Sequence, residues 1–300
     1  MTAEQKLADS KQIPKNNTAT TTIKPGYQPQ AADTSIDADI YLFTRLRQRT
    51  LKQRVEMYAA HERGVKKLSL AGIKMRHPQA SLKEMRQHFT RAVLGDKLPQ
   101  GFQPGGDEKI WIQDSIALAG ELHSCLNAVN IPYYVSGGVA SSIHGEPRST
   151  RDLDLVISVQ VNQIDLLVTT LEAALYYCPA GAVEDLKQGR ERMLNITHTE
   201  TIANADLYVM DNSPFASSQM SRRRLLDIEG MPAFWVISPE DLVLQKLLWG
   251  RSSQSEKQWR DVLGILKLQA ENLDYGYLAD WAEELALVEV FSQALTQAGI

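Results

Sequence analysis

The sequence predicts an α+β chain, in which a helical segment, an alternating strand-and-helix core and a helical C-terminal part follow one another. Three observations carry this. Apolar residues recur at three- and four-residue steps from about Asp37 to Leu94. The run Leu98-Pro-Gln-Gly-Phe-Gln-Pro-Gly-Gly-Asp107 then breaks all periodicity, as a domain boundary does. Beyond it short β-rich runs alternate with amphipathic ones, until only helical periodicity remains after Ile237.

Residues 1–36 are polar and lack periodic apolar content, so they read as a disordered tail that buries too little to offset its ordering entropy. Residues 37–97 form a helical segment. Pro78 ends one of its helices, and Ser81 with Glu84 three residues on is a capping box for the next. Residues 98–109 are the linker, 110–237 the core and 238–300 the helical C-terminal part. Within the core, helices are expected over 110–129, 163–177 and 214–226, and strands over 132–135, 152–159, 193–199, 202–210 and 233–237. Ser238-Pro-Glu-Asp241 is a helix start, with Ser as N-cap and Pro at the first helical position.

Composition excludes some classes. Apolar residues make up 43% of the 300 and charged residues 23%, ordinary values for a globular protein. No apolar run approaches the roughly 18 residues of a membrane span, and no signal-peptide apolar region opens the chain. Cys125 and Cys178 fit no metal-binding spacing, which favours a reducing, cytoplasmic setting. The net charge of −4 conceals a basic block: Arg45 to Arg91 holds thirteen Lys or Arg against Glu56, Glu62 and Glu84. Such a block is either a solvated helical face or a surface for phosphate backbones or an acidic partner.

The chemistry concentrates between Ser136 and Ile157. Alternation puts Asp152 and Asp154 on one face of a strand and Leu153, Leu155 and Ile157 on the other. Adjacent carboxylates repel unless a cation lies between them, and Mg²⁺ accepts such hard oxygen ligands together with substrate phosphates. Gly137-Gly138 follows a strand and opens a short helix, so backbone N–H groups can approach a phosphate without Cβ obstruction. Ser136 offers a hydroxyl, and Arg148 and Arg151 offer charge to neutralise a triphosphate. Each element also has a plainer reading: a solvated strand edge, an ordinary turn, or a surface ion pair with Glu146.

Gly-Gly, thirteen residues and Asp-x-Asp, with His144-Gly145, Arg148 and Thr150 between, resembles the signature of polymerase-beta-type nucleotidyltransferases. The second glycine makes it more similar to AbiEii-like bacterial members. The resemblance implies a mixed sheet flanked by helices, two Mg²⁺ ions, an NTP substrate and a third carboxylate on a neighbouring strand. Asp206 fits that role, because Ala205, Leu207 and Val209 take the apolar face; Asp211, beside Asn212-Ser-Pro, is the alternative and reads as a turn residue. It further implies that Lys246 reaches the phosphates and that Asp261 orients Lys246 or Arg260. Asp152, Asp154 and Asp206 would be the catalytic, metal-holding set, with Ser136, Gly137, Gly138, Arg148, Arg151 and Lys246 binding nucleotide. The acceptor would be RNA, a tRNA end included, or a protein hydroxyl, and an antitoxin-like partner would restrain the enzyme. The alternatives are a non-catalytic nucleotide-binding protein of the same fold and a nucleic-acid-binding regulator built on the basic block. His144, Arg222-Arg223-Arg224 and the tryptophans are expected to serve structure.

Overall fold

The computed structural model describes residues 24–253 and 255–300. The expected tail therefore lies outside the described residues as far as position 23. From Lys24 the chain runs as a strap to helix α1 (Ile36–Arg47), with the Gln28 N–H donating to the Gln297 carbonyl at 2.9 Å. The strap is tied down by Asp39, fully buried, which accepts from the Tyr27 hydroxyl (2.5 Å), the Gln30 N–H (2.9 Å) and Lys267 (2.7 Å).

Helices α2 (Leu51–Arg76) and α3 (Leu82–Leu94) both open with capping boxes, on Thr50 with Gln53 and on Ser81 with Glu84. Val55, Tyr58 and Ala59 of α2 join the main core, whereas Leu70, Ile73, Met85, Phe89 and Leu94 build a smaller one with Phe102, Trp111 and Ile202. The Gly/Pro run thus packs rather than floats. Gly106, at φ +66°, brings its backbone so close to the Glu200 carbonyl that any Cβ would collide with it.

The core is a seven-stranded mixed sheet in the order β3-β4-β5-β2-β1-β7-β6. Its strands are β1 (Tyr133–Val135), β2 (Leu153–Ile157), β3 (Tyr176–Tyr177), β4 (Met193–His198), β5 (Asn204–Val209), β6 (Arg224–Leu226) and β7 (Phe234–Val236). Central β2 lies antiparallel to β1 and parallel to β5. Helices α4 (Ser115–Ala128), α5 (Gly137–His144), α6 (Ile164–Ala173), α7 (Ala180–Lys187) and α8 (Pro214–Arg222) flank it. Helices α9 (Pro239–Ser253), α10 (Glu256–Gln269), α11 (Tyr275–Glu284) and α12 (Val288–Ala298) complete the chain. The expected α+β class, with a mixed sheet between helices, is what the chain adopts.

Three boundaries differ from expectation, each for a local reason. Helix α4 begins at Ser115, not near Ile110, because the Asp114 carboxylate accepts the Ile116 and Ala117 N–H groups as N-cap. Helix α6 stops at Ala173; Leu175 turns at φ +66°, freeing Tyr176–Tyr177 to pair with β4. Helix α8 stops at Arg222, since Arg224–Leu226 gains a ladder against β7. Helix α7 is not announced by periodicity at all.

Candidate active site

Register builds the site. Asp154 of β2 lies directly opposite Asp206 of β5, with Leu153 opposite Ala205 and Leu155 opposite Leu207. Those four apolar side chains and Ile157 are completely buried, so alternation leaves Asp152, Asp154 and Asp206 together on the opposite face. Burial, and then the neighbouring Asp206, raise the Asp154 carboxyl above its ordinary pKa.

A lysine relieves part of this repulsion. The Lys97 ammonium donates to Asp152 Oδ2 at 2.7 Å and to Asp206 Oδ2 at 2.8 Å. Burial opposes its charge, but the two carboxylates outweigh that and raise its pKa. The remaining oxygens are held by amides: Asn195 donates to Asp206 Oδ1 (2.5 Å), and Asn204 to Asp152 Oδ1 (3.2 Å). Thr197 in turn donates to Asn204 Oδ1 at 2.9 Å. Lys97, Asn195 and Asn204 did not stand out in the sequence. Asparagines within strands, where they are depleted, are the signal that marks the last two; a lone lysine after a helix carries none.

The glycine turn faces the carboxylates from β1. The Ser136 N–H donates to the Asp154 carbonyl (2.8 Å), and the Gly138 N–H, at the start of α5, donates to Asp154 Oδ2 (3.4 Å). Gly137 has φ +59°, and a Cβ there would overlap the Asp154 carboxylate. Gly137→Ala is therefore expected to cost about 2 kcal/mol or more, through strain and displacement of Asp154; a chemical denaturation midpoint equal to the wild type would contradict it. The Ser136 hydroxyl, almost fully buried, donates to Gln245 of α9 at 2.5 Å.

The basic candidates divide. Arg148 grips Asp261 with two bonds (2.7 and 2.6 Å), and Lys246, only 2% exposed, pairs with the same carboxylate at 2.8 Å and donates to Gln258. Burial pushes Asp261 upward, but Arg148 and Lys246 outweigh it and hold the carboxyl below its usual range. Burial lowers the Lys246 ammonium. Asp261 thus orients Lys246, while Arg260 pairs with Glu146 instead (2.9 Å). Arg151 is exposed, beside Gly95. Asp211 accepts the Ser213 N–H at 2.8 Å as a turn residue and stands apart from the carboxylate group.

Other basic groups serve structure. Arg222 stacks on Tyr277, Arg223 on Trp235, and Arg224 pairs with Glu240. Part of the basic block is engaged by the rest of the chain: Arg63 pairs with Asp114 and Lys74 with Glu108, while Lys52, Lys66 and Arg86 donate to the Glu229, Gln113 and Gly106 carbonyls.

His144 is buried, with Nε2 bonded to the Ile237 carbonyl at 2.8 Å, and burial pushes its pKa down to about 4. A depressed pKa means that the unfolded chain takes up the proton first. Stability should therefore be intact above the unfolded value near 6.5 and decline as pH falls towards 4, by roughly 2 kcal/mol between pH 6.5 and 5. Denaturation across this range checks it; His144→Gln should remove this slope, and an unchanged slope in that variant would contradict the assignment.

Farther along the carboxylate-bearing face lies a cavity of about 830 Å³ that none of the three carboxylates lines. Val156 and Tyr208 lie two residues beyond Asp154 and Asp206 on the same face, about 7 Å along the strands. The other walls include Tyr134, Phe215, Trp249 and Trp281. Gln219, also lining it, accepts from the Tyr134 hydroxyl at 3.2 Å, and its buried Nε2 has no partner among the described residues. A second cavity, of about 720 Å³, lies between the strap, α9, α10 and α12; Lys246 lines it, and again none of the three carboxylates does.

No protein-family model matches the chain, and comparison with curated proteins finds no match. Solved structures do resemble it. A crystal structure of an antigenic nucleotidyltransferase-like protein from Paracoccidioides brasiliensis is 20% identical, covering 65% of this chain and 95% of that one, with a TM-score of 0.41. The solution structure of the antibiotic-resistance factor ANT(2'')-Ia is 13% identical, covering 59% and 96%, with a TM-score of 0.40. A crystal structure of ANT(2'')-Ia with adenylyl-2''-tobramycin gives 12%, 57%, 97% and 0.39.

Hard carboxylate oxygens in facing register, already drawing in an ammonium, suit a divalent cation chemically. Among the described residues, however, no three acidic, His or Cys side chains stand assembled as a cage. Lys97 stands between two of the three.

Proposed function

We propose that the chain is a Mg²⁺-dependent nucleotidyltransferase. The observation that carries this is the set of three carboxylates on adjacent strands, in register, facing a glycine turn that only glycine can form. An acceptor oxygen attacks the α-phosphorus of an NTP, the bond to the β-phosphate oxygen breaks, pyrophosphate leaves, and the acceptor proton passes to a carboxylate or to water. Asp152, Asp154 and Asp206 would hold Mg²⁺, which when bound supplies charge neutralisation at the phosphates and activates the attacking oxygen. The Gly137-Gly138 turn admits the phosphates, and Arg151 lies exposed to meet them. Two cations around the single Asp261 carboxylate, Arg148 and Lys246, leave net positive charge beside Gly138. Catalysis is then mainly positioning and neutralisation.

The aromatic cavity takes the nucleobase, because it begins about a ribose's length from the carboxylates and presents flat walls and an amide donor that has no partner among the described residues. By its resemblance to AbiEii-like proteins, the acceptor is RNA, such as a tRNA end, or a protein hydroxyl, with an antitoxin-like partner. Calorimetric titration with each NTP in Mg²⁺ tests the donor side. Binding weakened about tenfold by Gln219→Leu supports it; no binding of any NTP would sink it. Lys97 in the cation position favours one second reading, a nucleotide-binding protein that does not turn over, which predicts NTP binding without transfer.

A further inference from the structure

We propose that Lys97 is a tethered counter-ion, placed between Asp152 and Asp206 by the N-terminal helical segment, which a divalent cation must displace to enter the site. The inference rests on the reading of Asp152, Asp154 and Asp206 as a cation site. Two carboxylates from different strands each receive the same ammonium, at 2.7 and 2.8 Å, and these are the bonds that hold its side chain. The side chain is 45% exposed, so it is anchored at its tip and not by burial along its stem. It lies just past α3, which ends at Leu94: Gly95–Lys97 make a single 3-10 turn with Gly95 at φ +54°, and the Gly/Pro run begins just after Lys97.

An ammonium and a metal ion need the same oxygens, so their occupancies are mutually exclusive at Asp152 Oδ2 and Asp206 Oδ2. Lysine has four rotatable bonds and can withdraw into solvent without disturbing the sheet. Helix α3 packs on α2 through Met85 and Phe89 against Leu70 and Ile73, in the minor core. Lys97 therefore sits at the end of a helical segment that this minor core ties to the β4–β5 turn through Ile202.

The test is a Mn²⁺ titration of the full chain, following free Mn²⁺ by electron paramagnetic resonance, without nucleotide. Lys97→Ala and Lys97→Met should each bind Mn²⁺ at least tenfold more tightly than the wild type, and Lys97→Arg should resemble the wild type. Asp206→Asn should weaken binding in both the wild-type and Lys97→Ala backgrounds. Thermal unfolding gives a second readout, since Mn²⁺ should stabilise Lys97→Ala more than the wild type. Equal or weaker affinity in Lys97→Ala and Lys97→Met would overturn the plug; if Asp206→Asn still weakened binding, the carboxylate site itself would stand. Absence of Mn²⁺ binding in every variant would overturn both.

Discussion

Asp154→Asn should abolish nucleotidyl transfer while making the protein more resistant to heat. Asp154 faces Asp206 across two parallel strands, and burial and that neighbour raise its carboxyl. A folded pKa above the unfolded one means that stability is greatest below the unfolded value and falls as pH rises through the folded value. At neutral pH the ionised group therefore costs stability, which the amide, of equal size and without charge, restores. The expected gain is a few degrees in melting temperature, without added metal. The expected loss in transfer is about a thousandfold, the scale of removing a charge-stabilising group from a water-poor site. Calorimetry and labelled-nucleotide transfer on the same preparation check both, and a variant that lost both activity and stability would show Asp154 to be structural.

Asp261→Ala should have the largest effect on stability. Arg148 and Lys246 meet on this one carboxylate, and all three are largely buried. Removing it leaves two cations facing each other without a counter-charge, which costs about 3–5 kcal/mol and lowers the melting temperature by about 10 °C or more. Because the Asp261 carboxyl is held below its ordinary value, its contribution is present above the unfolded pKa and lost as pH falls through the folded one. The variant should therefore lose stability at neutral pH and show a flatter acid limb. The pair Lys246→Met with Asp261→Ala should recover part of the loss; an additive double variant would contradict the network.

How much of this was legible in the sequence follows from what each signal depends on. Alternation is local, so the two faces of β2 and β5 could be read directly from Leu153-Asp-Leu and Ala205-Asp-Leu, and with them the choice of Asp206 over Asp211. Gly137-Gly138 could be read as a close-approach turn for the same reason. Residues brought in by topology could not. Asn195 reaches Asp206 only because β4 pairs antiparallel with β5, and Lys97 arrives along a loop whose course no periodicity encodes. The resemblance brings Lys246 to the phosphates but says nothing of how its ammonium is held: Asp261 and Gln258 of the next helix bury it. Charge counting says least about the basic block. It measures how many lysines and arginines are present, whereas their partners, often backbone carbonyls such as those of Gln113 and Gly106, are invisible to it.

The proposed role of the face bearing Asp152, Asp154 and Asp206 is to move a nucleoside monophosphate from an NTP to an acceptor. Incubating the protein with each α-labelled NTP, Mg²⁺ and a pool of cellular RNA and protein measures this directly. The wild type should label one acceptor class, Asp154→Asn none, and the wild type none when Mg²⁺ is chelated. No label in any acceptor, or equal label with wild type and Asp154→Asn, would contradict it.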